Sequence, residues 1–515
     1  MLSINRISNF FSKRQYLVLF LITVSLFIYL QFDSTFADPD SFYHAKLAEI
    51  LAEKGAITEF PWLTATNLKY NFVDHHFLYH LILIPFVKLF SPLFGLKIAT
   101  VTFASLLILT FFWFLRQLKV KGAFWYALFL LTVNPFIFRV NLAKAQALVL
   151  IFLFLIIYLL FTRRYLFLIL VSCLYVWLYG GWPLLLVLAV IYGLVSSLFV
   201  YWKRGGFLLR LKKKKIYGQN LLLVVSILLG IAAGVFFSPY FPWNLDFYWQ
   251  QSFKIAVLNY QYSIGVGGEW YPYQFSHLLL AAAPLWLLYF LAVFIFTTDF
   301  KKQSMNSWFF LILSFLFFML TLKSRRYIEY FVPLAVCFSA LSLADFFVLI
   351  KKNLPKIMPV RLVFLTPLLI FLVLAPVFYH DLTSIKHSFQ NGFAFNTFAE
   401  PMQWLKENSE AGDIVFHSDW DEFPILFFHN SFDYYLVGLD PTFMYFYNPG
   451  LYQQWSEITT GQFNANLYEI IKRVFGAKYV FVNIQDNEAF DQNLASNFHF
   501  QEVFKNQEAK IYKLD

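Results

Sequence analysis

Residues 77–95, FLYHLILIPFVKLFSPLFG, decide the topology of the chain because they are apolar enough to be counted as a membrane span. If they span, every later loop changes side and the basic clusters between the apolar stretches fall on the outer face. If they form a juxtamembrane or re-entrant pair of helices, all of these clusters face the cytoplasm, as the positive-inside rule requires. We therefore expect this segment to lie on the outer surface.

The composition of the chain is typical of integral membrane proteins. Of 515 residues, 59% are hydrophobic and only 14% are charged, and the mean hydropathy is +0.60, which exceeds what soluble domains carry. We predict an α-helical polytopic protein of the plasma membrane with about eleven transmembrane helices, the first of them a retained signal anchor. The apolar stretches lie near residues 16–32, 97–115, 123–138, 145–161, 165–180, 182–201, 219–237, 276–297, 307–322, 327–350 and 361–379.

The net charge of +10 does not indicate nucleic acid as a partner, because the basic residues form short clusters between apolar stretches rather than one basic face. Such clusters mark cytoplasmic loops. The amino terminus is therefore expected in the cytoplasm, with the loops 33–96 and 238–275 and the tail after residue 380 on the outer side. The clusters are Arg116/Lys119/Lys121, Arg163/Arg164, Lys203 to Lys215, Lys301/Lys302 and Lys351/Lys352/Lys356.

The composition changes abruptly after residue 380, where Asp, Asn, Glu and Gln replace Leu and Phe. We therefore divide the chain into a transmembrane domain, residues 1–379, and a small soluble extracytoplasmic α/β domain, residues 380–515. The residue pattern of the tail predicts a helix and several short strands. The helix covers Glu400–Glu407, and the strands cover Asp413–His417, Lys478–Val482 and Ala509–Lys513.

Two carboxylates in the outer loops are candidate site residues. Asp40 lies in Asp38-Pro39-Asp40-Ser41-Phe42-Tyr43-His44, just after the first span. An acid there can hold a metal or polarise an acceptor, but Asp beside Pro is also a common helix cap. Glu269 follows a Gly-rich stretch and precedes Trp270-Tyr271-Pro272. It is either a metal or substrate ligand or a solvated loop carboxylate.

Arg325 and Arg326 follow the apolar stretch 307–322 on the side where the positive-inside rule disfavours them. An anionic partner would explain this placement, since the planar guanidinium suits phosphate or pyrophosphate oxygens. The alternative is that both side chains extend to lipid headgroups.

The histidines and cysteines do not indicate a strong metal site. The segment Asp74–His76 and His80 form a dense cluster that could bind zinc, but further ligands are missing, so surface or headgroup contacts are the expected role. Cys173 and Cys337 both lie in apolar stretches, which predicts neither a disulfide framework nor a cysteine metal site.

The remaining motifs narrow the function further. Ser418–Pro424 places acidic and aromatic residues after a predicted strand, where they line a site or form an ordinary polar loop. There is no phosphate-binding glycine loop, nucleophile elbow or HExxH motif, so soluble nucleotide-dependent chemistry is not indicated. The spans are expected to lack buried carboxylates, and no repeat is visible, which disfavours a transporter.

Taken in order, these segments resemble the catalytic subunit of oligosaccharyltransferases, which are membrane glycosyltransferases of the C fold, over most of the chain. Asp40–His44 is similar to the family's Asp-Pro-Tyr-Tyr-His signature, Gly268–Pro272 to the Glu motif of its fifth outer loop, and Leu322–Tyr327 to its Arg-aromatic turn. Further similar strings are Tyr179–Pro183, Leu374–His380 and Trp404–Lys406 before Asp413.

The resemblance implies a C fold and inverting transfer of a sugar from a lipid-linked donor. In the family, a metal ion held by the first-loop Asp and the Glu engages acceptor and donor. By resemblance, Asp40 and Glu269 would be the catalytic residues that polarise the acceptor nucleophile and would hold Mn or Mg. Arg326, with Arg325 beside it, would contact the departing phosphate.

Two segments depart from the family. Where the family has an acidic pair after an Arg in the second outer loop, this chain has Arg139, then Lys144 and Gln146. A lysine there would repel a divalent ion and could itself neutralise the phosphate, so we hypothesise a metal-independent site in which Arg139 and Lys144 bind donor phosphate. Of the family's WWDYG motif only Trp420 and Asp421 remain, and they are the predicted acceptor-binding residues.

The leading hypothesis is a transferase that moves a sugar or oligosaccharide from a polyprenyl phosphate or pyrophosphate to a protein, lipid or glycan outside the cytoplasm. A second enzyme would transfer one sugar from a polyprenyl monophosphate to a lipid or glycan, which would suit Lys144 and the lost acidic pair. A non-catalytic scaffold, a transporter or a degenerate former enzyme completes the alternatives.

Overall fold

The computed structural model describes residues 2–203, 209–258, 264–298, 300–353 and 360–515. Within these ranges the side chains of residues 2–13, 201–203, 209–215, 253, 256–258, 349–353 and 360–374 are not described. The basic clusters at Lys203 to Lys215 and Lys351 to Lys356 therefore lie outside the residues whose side chains are described.

Helices dominate the described part of the chain, as its apolar sequence predicts. The long helices and the short helices of the first half are α1 (Leu2–Leu30), α2 (Asp40–Lys54), α3 (Phe77–Leu89), α4 (Pro92–Gln117), α5 (Ala123–Leu130), α6 (Asn134–Val140), α7 (Gln146–Thr162), α8 (Tyr165–Leu178), α9 (Leu184–Lys203), α10 (Leu209–Phe236), α11 (Trp243–Tyr248), α12 (Phe275–Ala281), α13 (Ala283–Thr298), α14 (Met305–Lys323), α15 (Ile328–Asn353) and α16 (Val360–Gln390).

The carboxy-terminal part mixes short helices and strands. The helices are α17 (Ala399–Asn408), α18 (Phe423–His429), α19 (Thr442–Tyr447), α20 (Pro449–Thr459), α21 (Leu467–Glu469) and α22 (Glu488–Ala495). The strands are β1 (Thr35–Phe36), β2 (Phe393–Ala394), β3 (Ile414–His417), β4 (Ala477–Asn483), β5 (Phe500–Lys505) and β6 (Ala509–Leu514). The helix and the strands predicted within the tail are confirmed as α17, β3, β4 and β6.

Among the described residues, four helices are long and apolar enough to cross a membrane, or up to six if each of two bent pairs is one span. The four are Pro92–Gln117, Ile216–Phe236, Met305–Lys323 and Arg325–Val348. Shorter apolar helices are Arg14–Leu30, Phe77–Leu89, Gln146–Thr162, Tyr165–Leu178 and Leu184–Val200. The chain is thus an integral membrane protein by its apolar helices, and the count of about eleven spans stays a prediction.

Two stretches predicted as single spans are broken helices. The stretch 123–138 consists of α5 and α6, which meet at 78°. The break lies at Val133, whose backbone is extended, and Pro135 stands in the first turn of α6, where its missing N–H costs no helical hydrogen bond. The stretch 276–297 consists of α12 and α13, which meet at 86° around Ala282. The bend was not predicted at either place, and whether each bent pair crosses the membrane as one broken span stays a prediction.

The segment 77–95 contains α3 and the beginning of α4. Helix α3 has 13 residues, which at 1.5 Å per residue is too short to cross a hydrocarbon core of about 30 Å. Ser91 precedes Pro92, which opens α4, where its missing N–H costs no helical hydrogen bond. The segment is thus two helical pieces, as expected, although the second continues as the long helix α4. Its location on the outer surface stays a prediction.

The chain forms two compact units. Unit 1 contains residues 1–33, 99–237 and 269–390, and unit 2 contains residues 34–98, 238–268 and 391–515. Helix α16 continues to Gln390, so the domain boundary expected at residues 379 and 380 lies inside a helix.

Unit 1 is helical, and its helix α10 packs closely against α8. A Cβ atom on Gly230 would lie 2.5 Å from the carbonyl oxygen of Ile169, and one on Gly234 would lie 2.7 Å from Cβ of Val176. Small residues four apart let two membrane helices approach closely. The Gly230-xxx-Gly234 spacing therefore explains how α10 packs against α8.

Unit 2 contains a four-stranded sheet of order β3-β4-β6-β5, in which β3 and β4 are parallel and the other pairs are antiparallel. The first outer loop is part of the same unit. Strand β1 pairs with β2, and the backbone N–H of Thr64 donates to the carbonyl of Tyr435 at 2.8 Å. The tail predicted as a separate domain therefore folds together with the residues that follow the first span.

Candidate functional site

Three charged side chains of unit 1 form a buried ion network. Arg139 on α6 donates from Nη1 to Oε2 of Glu269 at 2.6 Å and from Nε to Oε2 of Glu329 at 2.8 Å. Arg139 is 5% exposed and Glu329 is 1% exposed. Because a buried charge is stable only when paired, Arg139 needs both carboxylates.

Arg326 adds a second guanidinium to Glu269. Its Nη1 lies 3.9 Å from Oε1 of Glu269, and its Nη2 donates to the hydroxyl of Tyr179 at 3.3 Å. Its Cζ lies 4.2 Å from the centre of the Trp270 ring, a separation at which a cation is attracted to an aromatic face. The guanidinium plane of Arg326 is thereby held beside the Glu269 carboxylate.

Backbone contacts join the turn after α14 to the segment around Glu269. The hydroxyl of Ser324 donates to the carbonyl of Glu269 at 2.8 Å, and the backbone N–H of Arg325 donates to the carbonyl of Tyr271 at 3.0 Å. The Arg325 side chain donates from Nε to the carbonyl of Pro272 at 3.2 Å. The two segments that carry the Glu motif and the Arg-aromatic turn are therefore fixed against each other.

The charge balance around Glu269 is positive. Burial favours the neutral acid, but Arg326, Arg139 and Lys144 outweigh it and hold the pKa of Glu269 well below its usual range. Glu269 is thus an ionised carboxylate and a poor proton acceptor. Arg326, Arg139 and Lys144 therefore surround Glu269 with positive charge.

Both carboxylate oxygens of Glu269 face a guanidinium group. One oxygen of Glu269 accepts a hydrogen bond from Arg139 and the other faces Arg326. Gln146, where the family has an acid, is 7% exposed, and its buried side-chain oxygen has no hydrogen-bond partner. Among the described residues, no group of three or more His, Cys, Asp or Glu side chains is arranged to hold a metal ion.

The predicted acceptor residues and Asp40 lie in unit 2. Asp421 is partly buried, and burial, followed by the negative charges of Asp419 and Asp40, raises the pKa of Asp421 to about 7. A Cβ atom on Gly267 would lie 3.6 Å from the ring of Trp420. Asp40 begins α2, and its backbone N–H donates to Oδ1 of Asp38 at 3.0 Å.

The predicted site residues therefore fall into two groups, each within one unit. Unit 1 brings together Arg139, Glu269 and Arg326, with Arg325 adjacent in the chain and Lys144 close enough to act on the charge of Glu269. Unit 2 contains Asp40, Trp420 and Asp421.

The histidine cluster differs from the prediction. His80 is fully buried, so it does not make the surface or headgroup contact that was expected; His44, which is 4% exposed, lies beside it. Their rings are hydrogen-bonded, with Nδ1 of His44 2.8 Å from Nε2 of His80. The helical spacing of the histidines does not indicate this pairing, because His44 lies on α2, 36 residues before His80.

Glu329 is the residue that the sequence analysis missed. It lies in the candidate span Arg325–Val348, so the expectation that the spans lack buried carboxylates was wrong. The sequence feature that could have identified it is an acidic residue three positions after Arg326, inside an apolar stretch. Acids inside membrane helices usually have a partner, so this residue could have been expected to pair with a cation.

Comparison by sequence finds no relative: no protein-family model matches the chain, and no curated protein matches it.

Comparison by structure finds clear matches among solved membrane glycosyltransferases. The oligosaccharyltransferase of Archaeoglobus fulgidus in its apo form matches with a TM-score of 0.66 at 13% identity, covering 92% of this chain and 70% of that chain. The archaeal oligosaccharyltransferase AglB from A. fulgidus, in complex with an inhibitory peptide and a dolichol-phosphate, matches with a TM-score of 0.62 at 12% identity, covering 98% of this chain and 75% of that chain.

A third match is ArnT from Cupriavidus metallidurans bound to undecaprenyl phosphate. Its TM-score is 0.56 at 13% identity, and the match covers 97% of this chain and 98% of that chain. All three are glycosyltransferases of the C fold. The resemblance found in the sequence is confirmed at the level of the fold.

Proposed function

We propose that this protein with the C fold is a membrane glycosyltransferase that moves a sugar or oligosaccharide from a polyprenyl phosphate or pyrophosphate to an extracytoplasmic acceptor. The observation that supports this most is the excess positive charge around Glu269. Arg326, Arg139 and Lys144 all lower the pKa of that carboxylate. A cluster of cations of this kind would stabilise an anion whose negative charge increases during the reaction.

The departing phosphate is that anion. When the bond between the sugar and the phosphate oxygen breaks, the electron pair stays on the phosphate. Guanidinium groups stabilise this charge through paired hydrogen bonds. Arg326 is 18% exposed at its side chain and Arg139 is 6% exposed, so Arg326 is the more accessible of the two guanidinium groups beside Glu269, while Arg325 and Lys144 add to the positive field. Arg139 holds the carboxylates that keep this arrangement in place.

Catalysis would then need no divalent ion. The side chains around Glu269 carry the positive charge that a metal would otherwise supply at the phosphate. The second candidate, a transferase of one sugar from a polyprenyl monophosphate, is supported by ArnT, which has the same fold over nearly its whole length and is bound to undecaprenyl phosphate.

The acceptor would be bound by unit 2. Asp40 would polarise the nucleophilic group of the acceptor, and Trp420 with Asp421 would contact the rest of the acceptor. Attack from the face opposite the phosphate would invert the anomeric carbon. The unit would face the outside, and the basic loops of unit 1 would face the cytoplasm.

The test is a comparison of single variants in a transfer assay with purified protein, labelled polyprenyl-phosphate sugars and lipid or peptide acceptors. Asp40→Asn should abolish transfer but leave donor binding unchanged, whereas Arg326→Gln should weaken both. Arg473→Gln is the matched control, because Arg473 is 78% exposed and pairs only with Glu469 on the surface. Unchanged transfer by both site variants would refute the proposal.

A further inference from the structure

Unit 2 has a row of aromatic side chains at its surface in addition to the predicted acceptor residues. This aromatic row lies where helices α19 and α20 meet, and it consists of Tyr445, Phe446 and Tyr447 at the end of α19 and Tyr452 in α20. Tyr447 is 44% exposed, and the other three side chains are partly exposed. Contiguous apolar surface that faces water usually marks an interaction site. The aromatic row is therefore a candidate binding surface.

The rings of the aromatic row follow one another on a packed support. The centre of the Tyr445 ring lies 5.8 Å from that of Tyr452 and 5.9 Å from that of Phe446. The Tyr452 ring lies 6.1 Å from the buried ring of Trp455. Nε1 of Trp455 donates to the carbonyl of His417 at 3.2 Å, which ties α20 to the end of strand β3. The row is thus held by the sheet of unit 2.

One end of the aromatic row lies beside the loop that carries the predicted acceptor residues. That loop starts where β3 ends, so the hydrogen bond that ties α20 to β3 also places α20 next to the loop. Burial raises the pKa of the Tyr452 hydroxyl, and the nearby Asp419 carboxylate raises it further. Trp420 packs with Tyr452 against the same hydrophobic core. Because Asp419, Trp420 and Asp421 are partly exposed, the loop and the row form one accessible surface.

The charges on this surface have opposite signs at its two ends. The carboxylates of Asp419 and Asp421 belong to the loop. At the other end, Nζ of Lys254 lies 4.9 Å from the centre of the Phe446 ring. A polycation would be repelled by the lysine and a polyanion by the acids. The surface therefore suits a ligand without net charge that has apolar faces and hydrogen-bonding edges.

A saccharide chain has these properties. A sugar ring has a face of C–H groups, which packs on the electron-rich face of an aromatic ring. Its hydroxyl groups can donate to carboxylates and accept from an ammonium group. An extended peptide is commonly bound through an exposed sheet edge, whereas this surface consists of side chains from two helices and a loop. The observations thus favour a saccharide over a peptide.

We propose that the aromatic row binds a saccharide chain and that the acceptor of the transfer reaction is accordingly a glycan; this rests on the proposed function. The terminal sugar of the acceptor lies at Trp420 and Asp421, and the sugars that precede it lie along the row. The row contributes binding free energy for the acceptor and makes longer acceptors better substrates.

The variant that tests this surface is Tyr447→Ala, because an exposed ring can be removed without opening the core. Tyr447→Phe keeps the ring and loses only the hydroxyl, so packing of a sugar on the ring predicts that it behaves as the wild type. Phe498→Ala is the matched control. It removes an aromatic side chain of the same unit that is 85% exposed and contacts the ring of His499 rather than the aromatic row.

The first experiment measures binding without any donor. Labelled full-length protein in detergent is applied to immobilised linear oligosaccharides of increasing length and to immobilised peptides. We expect binding to the longer oligosaccharides, weakened on the order of tenfold in Tyr447→Ala and unchanged in Tyr447→Phe and Phe498→Ala. Binding to peptides alone, binding to neither class, or equal binding by Tyr447→Ala and the wild type would overturn the proposal.

The second experiment measures transfer from a polyprenyl-phosphate sugar to the same oligosaccharides. The acceptor KM should fall as the acceptor lengthens, and Tyr447→Ala should raise the KM of long acceptors on the order of tenfold with an unchanged kcat. Transfer to peptides that Tyr447→Ala does not affect would refute the saccharide surface and leave the proposed function standing. Oligosaccharide binding that depends on Tyr447, without transfer from any polyprenyl-linked donor, would support the surface and refute the proposed function.

Discussion

Arg139 is the residue on which the ion network of unit 1 depends, because it contacts both Glu269 and the buried Glu329. Removing it as Arg139→Met leaves Glu329, which is 1% exposed, without its partner. Breaking a buried pair in this way costs on the order of 3–5 kcal/mol, while replacing both partners by apolar residues costs far less. The Arg139→Met/Glu329→Met double variant should therefore be more stable than Arg139→Met alone, measured by thermal unfolding in detergent.

The control for this prediction is Arg473→Met, which removes one partner of an exposed pair and should change stability by less than about 1 kcal/mol. Equal stability of the single and the double variant would show that Arg139 and Glu329 are not energetically coupled.

Asp421 gives the stability of unit 2 a dependence on pH. Burial and the charges of Asp419 and Asp40 raise its pKa from 3.8 to about 7, so the folded state holds this proton more tightly than the unfolded state. Stability is then highest below the unfolded pKa and falls as pH rises towards and through the folded pKa. We expect a loss on the order of 2 kcal/mol between about pH 5 and pH 8.

Asp421→Asn should remove most of this decline, because the amide does not ionise, and thermal unfolding at a series of pH values measures it. The exposed carboxylate Glu488 offers the matched exchange Glu488→Gln, after which the decline should persist. A decline that is identical in Asp421→Asn and the wild type would assign the pH dependence to another group.

Candidate site residues that belong to a family motif could be predicted from the sequence. Residues whose role depends on burial and on distant partners could not. Arg139, Glu269 and Arg326 were found because they match strings of a known family, and the structure brings them together in one unit. The roles of Glu329 and His80 depend on partners 190 and 36 residues away. A local sequence pattern does not indicate such a pairing, so the burial of Glu329 on α15 and of His80 on α3 was not predicted.

At the scale of elements, strong patterns were predicted well and helix continuity was not. The strands β3, β4 and β6 and the helix α17 lie where alternation and amphipathic spacing placed them. The bends between α5 and α6 and between α12 and α13 were missed, because apolar composition continues through both. Only Pro135 and Pro284 indicate a break there, and a proline alone does not tell a kink from a helix end.

The location of α3 is the element-scale prediction that decides topology. If residues 77–95 do not cross the membrane, cysteines introduced as Glu59→Cys and Ser91→Cys are both on the outer side, and both are exposed in unit 2. A membrane-impermeant maleimide applied to intact cells should therefore label both, in a background where Cys173 and Cys337 are replaced. Lys121→Cys, from a basic cluster, should be labelled only after permeabilisation.

Labelling of Glu59→Cys without Ser91→Cys would mean that α3 spans the membrane. Every later loop would then change side, and the sites of unit 1 and unit 2 would need a different assignment to the two faces.

At the scale of the whole molecule, the order of motifs predicted the fold although sequence identity to the matching structures is only 12–13%. The division into domains was not predicted. The first outer loop joins the tail through hydrogen bonds such as that between Thr64 and Tyr435, 371 residues apart. Composition separates apolar from polar segments, but it does not show which distant polar segments fold together.

The central claim for the whole molecule is that positive side chains around Glu269 supply the charge that a metal ion would supply to a lipid-linked phosphate. Its most direct test is sugar transfer by the purified wild-type protein from labelled polyprenyl-phosphate and polyprenyl-pyrophosphate donors, with and without EDTA and added manganese. We predict transfer from a polyprenyl monophosphate that persists unchanged in EDTA. Transfer that EDTA abolishes and manganese restores, or no transfer from any donor, would contradict the claim.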